Sequence, residues 1–260
     1  MFFQMFDDAR FCPDMVKIYP CVVLPSAELD QWHKEGKFKP MEGEDLIEAM
    51  IQMKTRIPRY CRISRLIRDF PSHEISGGNV VTNLRDVIKE RMKQRGLECK
   101  CLRCREAGHR PALAPNTKID LFVEVYENAG GMEYFLSMED EARTTVLGFL
   151  RLRLPHEEVV FDDPKTQKML HEVRELLPEL RHSAFVRELH TYGQALRISE
   201  ERKDAVQHKG YGRRLMQEAE KIAKQHGYPY LSVISGIGVR GYYRDLGYTR
   251  TGTYMRKRLK

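Results

Sequence analysis

The sequence runs to 260 residues, with 44 Lys and Arg against 37 Asp and Glu for a formal net charge of +7, and 42% of it is hydrophobic. That length exceeds the usual single-domain size and is enough to bury a substantial core, so two domains are expected. No apolar run reaches the length of a membrane-crossing helix, which excludes a transmembrane class and leaves no membrane partner to expect.

The chain opens on "MFFQMFDDARF", in which acids arrive at once and no basic region precedes the apolar residues. A secretory signal is therefore not expected, and a cytoplasmic location is. Charge is uneven beyond it: residues 54–110 hold 15 Lys and Arg against six acidic residues, so the remainder is slightly acidic. Within that segment "RIPRYCRISRLIRDF" sets Arg56, Arg59, Arg62, Arg65 and Arg68 at every third position. Neither the strand period of 2 nor the helix period of 3.6 puts all of them on one face, so they fan around an element emerging from Pro58. Arginine favours bidentate contacts to phosphate, Tyr60 offers a stacking ring among the charges, and Lys89 and Lys93 extend the basic set. A folded or single-stranded RNA is the expected partner of this segment; the competing reading is a solvated, salt-bridged face.

Six cysteines occur, at 12, 21, 61, 99, 101 and 104, and the last three fall in "ECKCLRCREAGH". Three thiols in a C-x-C-x-x-C arrangement in a chain read as cytoplasmic point to metal binding rather than a disulfide. A tetrahedral zinc site needs a fourth ligand, for which His109 is the nearest candidate and Cys61 or another distant residue the alternative.

Further along, "SAFVRELHTYG" (183–193) reads as a strand, "QHKGYG" (207–212) as a turn, and Tyr211, Leu215, Ala219, Ile222 and Ala223 as the apolar face of a helix. Gly227 and Pro229 end that helix, "YLSVIS" forms the next strand, and a short helix starting near Gly236 and a closing strand follow. No Ser, Thr, Asp or Asn stands at the usual N-cap place, so the first-turn amides lack a side-chain acceptor. An external anion fits there: the glycines at 210 and 212 let a phosphate approach, the helix dipole is positive at that end, and Lys209 and Arg213 add full charges. The GxxxxGK[ST] loop is absent, and the dinucleotide fingerprint lacks its context.

This order of strand, Q-x-x-G-x-G turn, helix, strand, short helix and closing strand resembles the acyl-CoA-binding core of the GNAT acetyltransferases. The resemblance implies that Gln207, His208, Lys209, Gly210, Tyr211 and Gly212, with Arg213, contact the pyrophosphate of acetyl-CoA, and that the pantetheine arm threads between two splayed strands. Glu188, Leu189 and His190, in the first of those strands, join the cofactor-binding set, with Glu188 and His190 as lesser candidates for a general base. Tyr242 and Tyr243 are implied as the catalytic pair, at least one phenol acting as general acid toward the leaving thiolate.

A longer series of stretches, among them "PDMVKIYPCVV" (13–23), "IPRYCRI" (57–63), "NLRDVIKERM" (83–92), "CKCLRCRE" (99–106), "LFVEVYENAGGMEYFLSMED" (121–140), "VRELHTYG" (186–193) and "GVRGYYRDLGY" (238–248), is similar to the catalytic subunit family of Elongator, its single-chain bacterial and archaeal form in particular. Members join a radical S-adenosylmethionine (SAM) barrel to a GNAT domain and use acetyl-CoA to make 5-carboxymethyluridine at the tRNA wobble position. The implied fold class is α/β: the C-terminal part of a radical SAM-like domain with a basic tRNA-facing segment over 1–95, a Cys-rich, zinc-binding linker over 96–115, and a GNAT acetyltransferase domain over 116–260. Other Elongator-like subunits or a second copy of the chain are further implied partners.

Two departures from the family stand out. The cysteine set that holds an iron–sulfur cluster is not among these residues, so the cluster and S-adenosylmethionine are expected only in a full-length form, and the chain reads as a piece of a longer polypeptide or a natural short form. Gly241 stands where the family usually has Asn before the paired tyrosines. The expectation is tRNA-stimulated acetyl-CoA hydrolysis without radical chemistry; the alternatives are a tRNA-binding scaffold with a vestigial acetyl-CoA site and a protein-lysine acetyltransferase.

Overall fold

Two patterns of apolar spacing organise the chain, and they fall in two units, Met1–Arg105 and Glu106–Lys260. The computed structural model describes residues 1–68, 70–156, 163–192 and 210–259.

The first unit contains α1 (Gln4–Asp7), β1 (Met15–Lys17), β2 (Val22–Val23), α2 (Glu28–Lys34), α3 (Gly43–Arg56), β3 (Arg62–Arg65), β4 (Gly77–Gly78), α4 (Leu84–Gln94) and α5 (Leu102–Arg105). Leu46, Met50, Ile51 and Lys54 recur at helical spacing and form the buried face of α3; Leu84, Ile88 and Met92 do the same for α4. Arg91 makes a two-pronged contact with Glu44 at 2.9 and 3.0 Å, and Arg95 reaches Glu48 at 2.5 Å, tying α4 to α3. β1 and β3 pair in parallel, Val16 opposite Ile63, with α2 and α3 in the connection between them; a parallel pair requires such a long crossover. The five arginines do not share one element: Arg56 ends α3, Arg62 and Arg65 lie on β3, and Arg59 and Arg68 lie outside both.

The second unit is one seven-stranded sheet. Its elements are β5 (Ile119–Asn128), β6 (Gly131–Asp140), β7 (Val146–Pro155), α6 (Pro164–Leu176), β8 (Ser183–Thr191), α7 (Tyr211–Gln225), β9 (Tyr230–Val233), α8 (Arg240–Asp245), β10 (Thr249–Thr251) and β11 (Tyr254–Arg258). The strand order is β10-β11-β9-β8-β7-β6-β5, antiparallel throughout except for the parallel pair β8 and β9, which α7 connects. On α7, Leu215, Met216, Ala219, Ile222 and Ala223 are buried against Leu136, Leu150, Leu152, Val186 and Leu231 of the sheet. Each fully buried Leu or Ile there contributes roughly 1.5–3 kcal/mol, which fixes the helix across the middle strands. Gly227 ends α7 in the left-handed region at φ 80°, where Tyr228 N–H donates back to Ala223 C=O at 3.0 Å. Among the described residues no helix is long and apolar enough to cross a membrane.

Candidate functional site

Three groups of sequence-predicted residues are placed, one in the second unit and two in the first. In the second unit, β8 and β9 pair from Ser183 opposite Tyr230 to Val186 opposite Val233. There β9 ends, with Ile234 N–H donating to Val186 C=O at 3.2 Å, while β8 continues to Thr191 paired with β7. The register of β7 against β8 shifts at the same point: Leu152 opposes Val186 and Arg151 opposes Glu188, so Arg187 is an extra residue on β8. A bulge bends its strand, and this one lies where β8 and β9 part. Past it, the β9-facing edge of residues 187–191 has no paired strand among the described residues.

The start of α7 faces this opening. Gly210 caps the helix without a side-chain hydrogen bond, and a Cβ on it would meet nothing within 4 Å. A Cβ on Gly212 would stand 2.8 Å from Tyr242 Oη and 3.7 Å from Thr191 Cγ2. Any side chain at 212 would push the phenol away, so the second glycine serves the tyrosine as well as the helix start. Gln207, His208 and Lys209 lie outside the described residues.

The two adjacent tyrosines take different places. Tyr242 is 38% exposed, and burial raises its phenol while Arg213 opposes the rise. Tyr243 is 5% exposed and belongs to the core under α7, its ring edge-on to Tyr248; burial, with Tyr242 adding, pushes it up to about 12. Both phenols therefore stay protonated at neutral pH, and only Tyr242 is open to a ligand. On β8, Glu188 is ion-paired with Arg151 at 3.0 Å, Leu189 packs on the core, and the His190 ring clusters with Phe149 and Tyr192, whose centroids are 5.9 and 4.5 Å away.

One feature of this unit has no signal in the sequence. A cleft of about 380 Å³ is lined by Pro111, Leu113, Pro115, Leu147, Tyr192 and Tyr211 among others. Tyr192 follows the end of β8 and Tyr211 begins α7, so the cleft reaches the same corner of the sheet as the opening. Its lining from 107 to 117 carries no motif that marks it in advance.

In the first unit the sulfurs of Cys99, Cys101 and Cys104 gather within 4.8 Å of one another, with Cys101 fully buried. Hydrogen bonds from Cys101 and Cys99 pull the Cys104 thiol down, with Lys54 adding to the fall, and the same sharing raises Cys99. Soft donors held this close, one of them readily ionised, fit a thiophilic divalent metal such as zinc. Cys61 is not among the gathered thiols; its carbonyl accepts from Leu102 N–H at 2.9 Å, which anchors the turn that carries them. His109 lies in the second unit, where it stands 3.5 Å from the Glu106 carboxylate.

On the basic surface, Arg56, Arg65, Arg68, Lys89 and Lys93 are exposed, and Arg59 and Arg62 are half-buried. Arg56 lies over the Phe3 ring at 3.6 Å, and Arg68 is 5.8 Å from the rings of both Tyr19 and Phe70. Along α4 and its C-cap, Arg91 and Arg95 reach α3, while Lys89 and Lys93 have no ion-pair partner among the described residues. Tyr60 corrects the sequence reading. It is 5% exposed, because the tight segment between α3 and β3 turns the ring inward, and it offers no stacking face.

Comparison with known proteins places both units. The Radical_SAM C-terminal domain matches residues 13–94, and the acetyltransferase (GNAT) family matches residues 103–248. The tRNA uridine(34) acetyltransferase of Methanocaldococcus jannaschii is 41% identical over 100% of this chain and 46% of its own length. Elongator complex protein 3 of Mus musculus is 36% identical, covering 100% of this chain and 45% of its own. Among solved structures, the archaeal Methanocaldococcus infernus Elp3 with an N-terminal deletion superimposes with a TM-score of 0.81 at 39% identity, covering 100% of this chain and 58% of that one. The chain thus spans about half the length of the curated relatives it matches.

Proposed function

The chain belongs to the acetyltransferase (GNAT) family, and from that premise we propose that it is the acetyl-CoA- and tRNA-binding part of a tRNA wobble-uridine carboxymethyltransferase of the Elongator type. The observation that carries the reading is the meeting of three elements: a strand pair that opens after Val186, an uncapped helix start at Gly210, and a phenol resting against Gly212.

The first-turn amides of α7, with Gln207, His208, Lys209 and Arg213, hold the pyrophosphate. The open edge of β8 over 187–191 offers backbone donors and acceptors to the amide-bearing pantetheine arm. Tyr242 then stands where the thioester sulfur arrives. In hydrolysis, water adds to the acetyl carbon, the carbon–sulfur bond breaks, and the added water gives up a proton to solvent while the departing sulfur takes a hydrogen bond from the phenol and its proton from solvent. A phenol near 10 is a weaker acid than a thiol near 8.5, so complete transfer from Tyr242 is uphill by about 2 kcal/mol before burial adds to it. Tyr242 therefore acts chiefly by hydrogen-bonding the departing sulfur, with the solvent proton completing the exchange. Tyr243 supports the ring of its neighbour from the core.

The exposed cations Arg56, Arg65, Arg68, Lys89 and Lys93 contact tRNA phosphates, and Cys99, Cys101 and Cys104 hold zinc, which fixes the turn between α4 and α5. No iron–sulfur ligand set is assigned to these residues, so radical chemistry is not assigned to this chain alone.

Calorimetry with acetyl-CoA tests the site. Gly210→Glu places a carboxylate in the open space before the helix and is expected to weaken binding at least tenfold with the fold intact; wild-type affinity in that variant would put the site elsewhere.

A further inference from the structure

Lys54 is the one charged residue on the buried face of α3, in the helix's last turns, and it is 1% exposed. A buried ammonium is costly unless it is paired and hydrogen-bonded. Among the described residues no carboxylate pairs with it. Its hydrogen-bond partner is Cys104 Sγ at 3.8 Å, in the cluster of Cys99, Cys101 and Cys104. A second cation lies nearby: Arg85 of α4 donates from Nη2 to the carbonyls of Ile63 and Ser64 at 3.0 and 3.4 Å, while its Nη1 is buried without a hydrogen-bond partner. Two cations, Lys54 and Arg85, thus lie beside the cluster.

We propose that Lys54 is a positioning residue of the three-thiol metal site, donating to Cys104 Sγ and balancing the charge of the bound ion. The inference rests on the metal reading of the three cysteines. Three thiolates around a divalent ion carry one net negative charge, which is costly to bury; one ammonium makes the unit neutral. With Lys54 counted, four thiolates would leave one negative charge, and three neutral donors would leave the lysine opposed to the metal. The hydrogen bond also withdraws density from one sulfur and fixes the rotamer of Cys104, as outer partners of metal ligands do elsewhere.

The test is zinc affinity, read by competition with a chromophoric chelator on the whole chain. Lys54→Met keeps the length of the side chain and is expected to lower zinc affinity 10- to 100-fold, while Lys54→Arg retains most of it. At saturating cobalt(II) the thiolate-to-metal absorption of Lys54→Met should reach wild-type intensity, showing that its three ligands are intact. If Lys54→Met does not fold, Lys54→Gln supplies the neutral comparison. Wild-type zinc affinity in a folded neutral variant overturns the role of Lys54 and leaves the metal site standing. A wild-type chain that takes up no metal overturns the metal reading and this inference with it.

Discussion

The thiol cluster of the first unit and the strand opening of the second are built by different means. Charge assembles the first: three sulfurs and a buried lysine that lies 50 positions away in sequence from the cysteine it meets. Backbone register makes the second, where one extra residue on β8, one glycine at the start of α7 and one phenol leave an open edge. A site made of charge responds to salt, metal removal and neutralising substitutions. One made of register responds to added volume, since a Cβ at Gly212 is enough to displace Tyr242.

That contrast is best broken where the expected effect is largest. Replacing Cys101 and Cys104 together by Ser should reduce zinc from about one ion per chain to none and melt the turn through 99–104, as seen by elemental analysis and by amide exchange confined to the first unit. Acetyl-CoA binding should survive the change. Loss of both together would mean that the two sites are not separable in the way proposed. A smaller effect is expected on the basic surface. Each phosphate contact removed lowers the slope of log K against log salt by about 0.7 to 0.9, so Arg65→Glu, Arg68→Glu, Lys89→Glu and Lys93→Glu in combination should flatten tRNA binding by about three. An unchanged slope would remove this surface from the interface. The smallest belongs to the α3–α4 tie. The Arg91–Glu44 contact is bidentate but exposed, so Arg91→Ala should cost under about 1 kcal/mol in denaturant unfolding, and a larger loss would show that charge also holds the first unit together.

Much of the second unit was legible in the sequence because its signals are local. The apolar spacing of α7, its glycine stop and the strand that follows all lie within one stretch, and the helix runs from Tyr211 to Gln225 as that spacing predicts. The bulge at Arg187 was not legible, because it is a property of how β8 pairs with β7, over thirty positions away. Nor was the division of labour between Tyr242 and Tyr243. Neighbours on a helix differ by about 100° in direction, and which of them meets the core depends on where α8 sits. In the first unit the cysteine spacing was read directly, whereas the link to Lys54 spans 50 positions and has no motif. The arginine periodicity does not carry one element: the five residues fall on a helix end, a strand and loops, and Tyr60 in their midst turns inward, since a ring beside charges in sequence need not be beside them in space.

The central claim is that the open strand pair and Tyr242 form a working thioester site, and coenzyme A release from acetyl-CoA tests it most directly. Tyr242→Phe and Tyr243→Phe, assayed singly with and without tRNA, separate the phenol at the opening from the one in the core. A hydrogen bond to a developing thiolate is worth about 1.5–3 kcal/mol, so Tyr242→Phe should slow release about 10- to 100-fold while acetyl-CoA affinity changes little. Tyr243→Phe should leave most of the rate and lower thermal stability slightly. Wild-type release by Tyr242→Phe, with or without tRNA, would contradict the account.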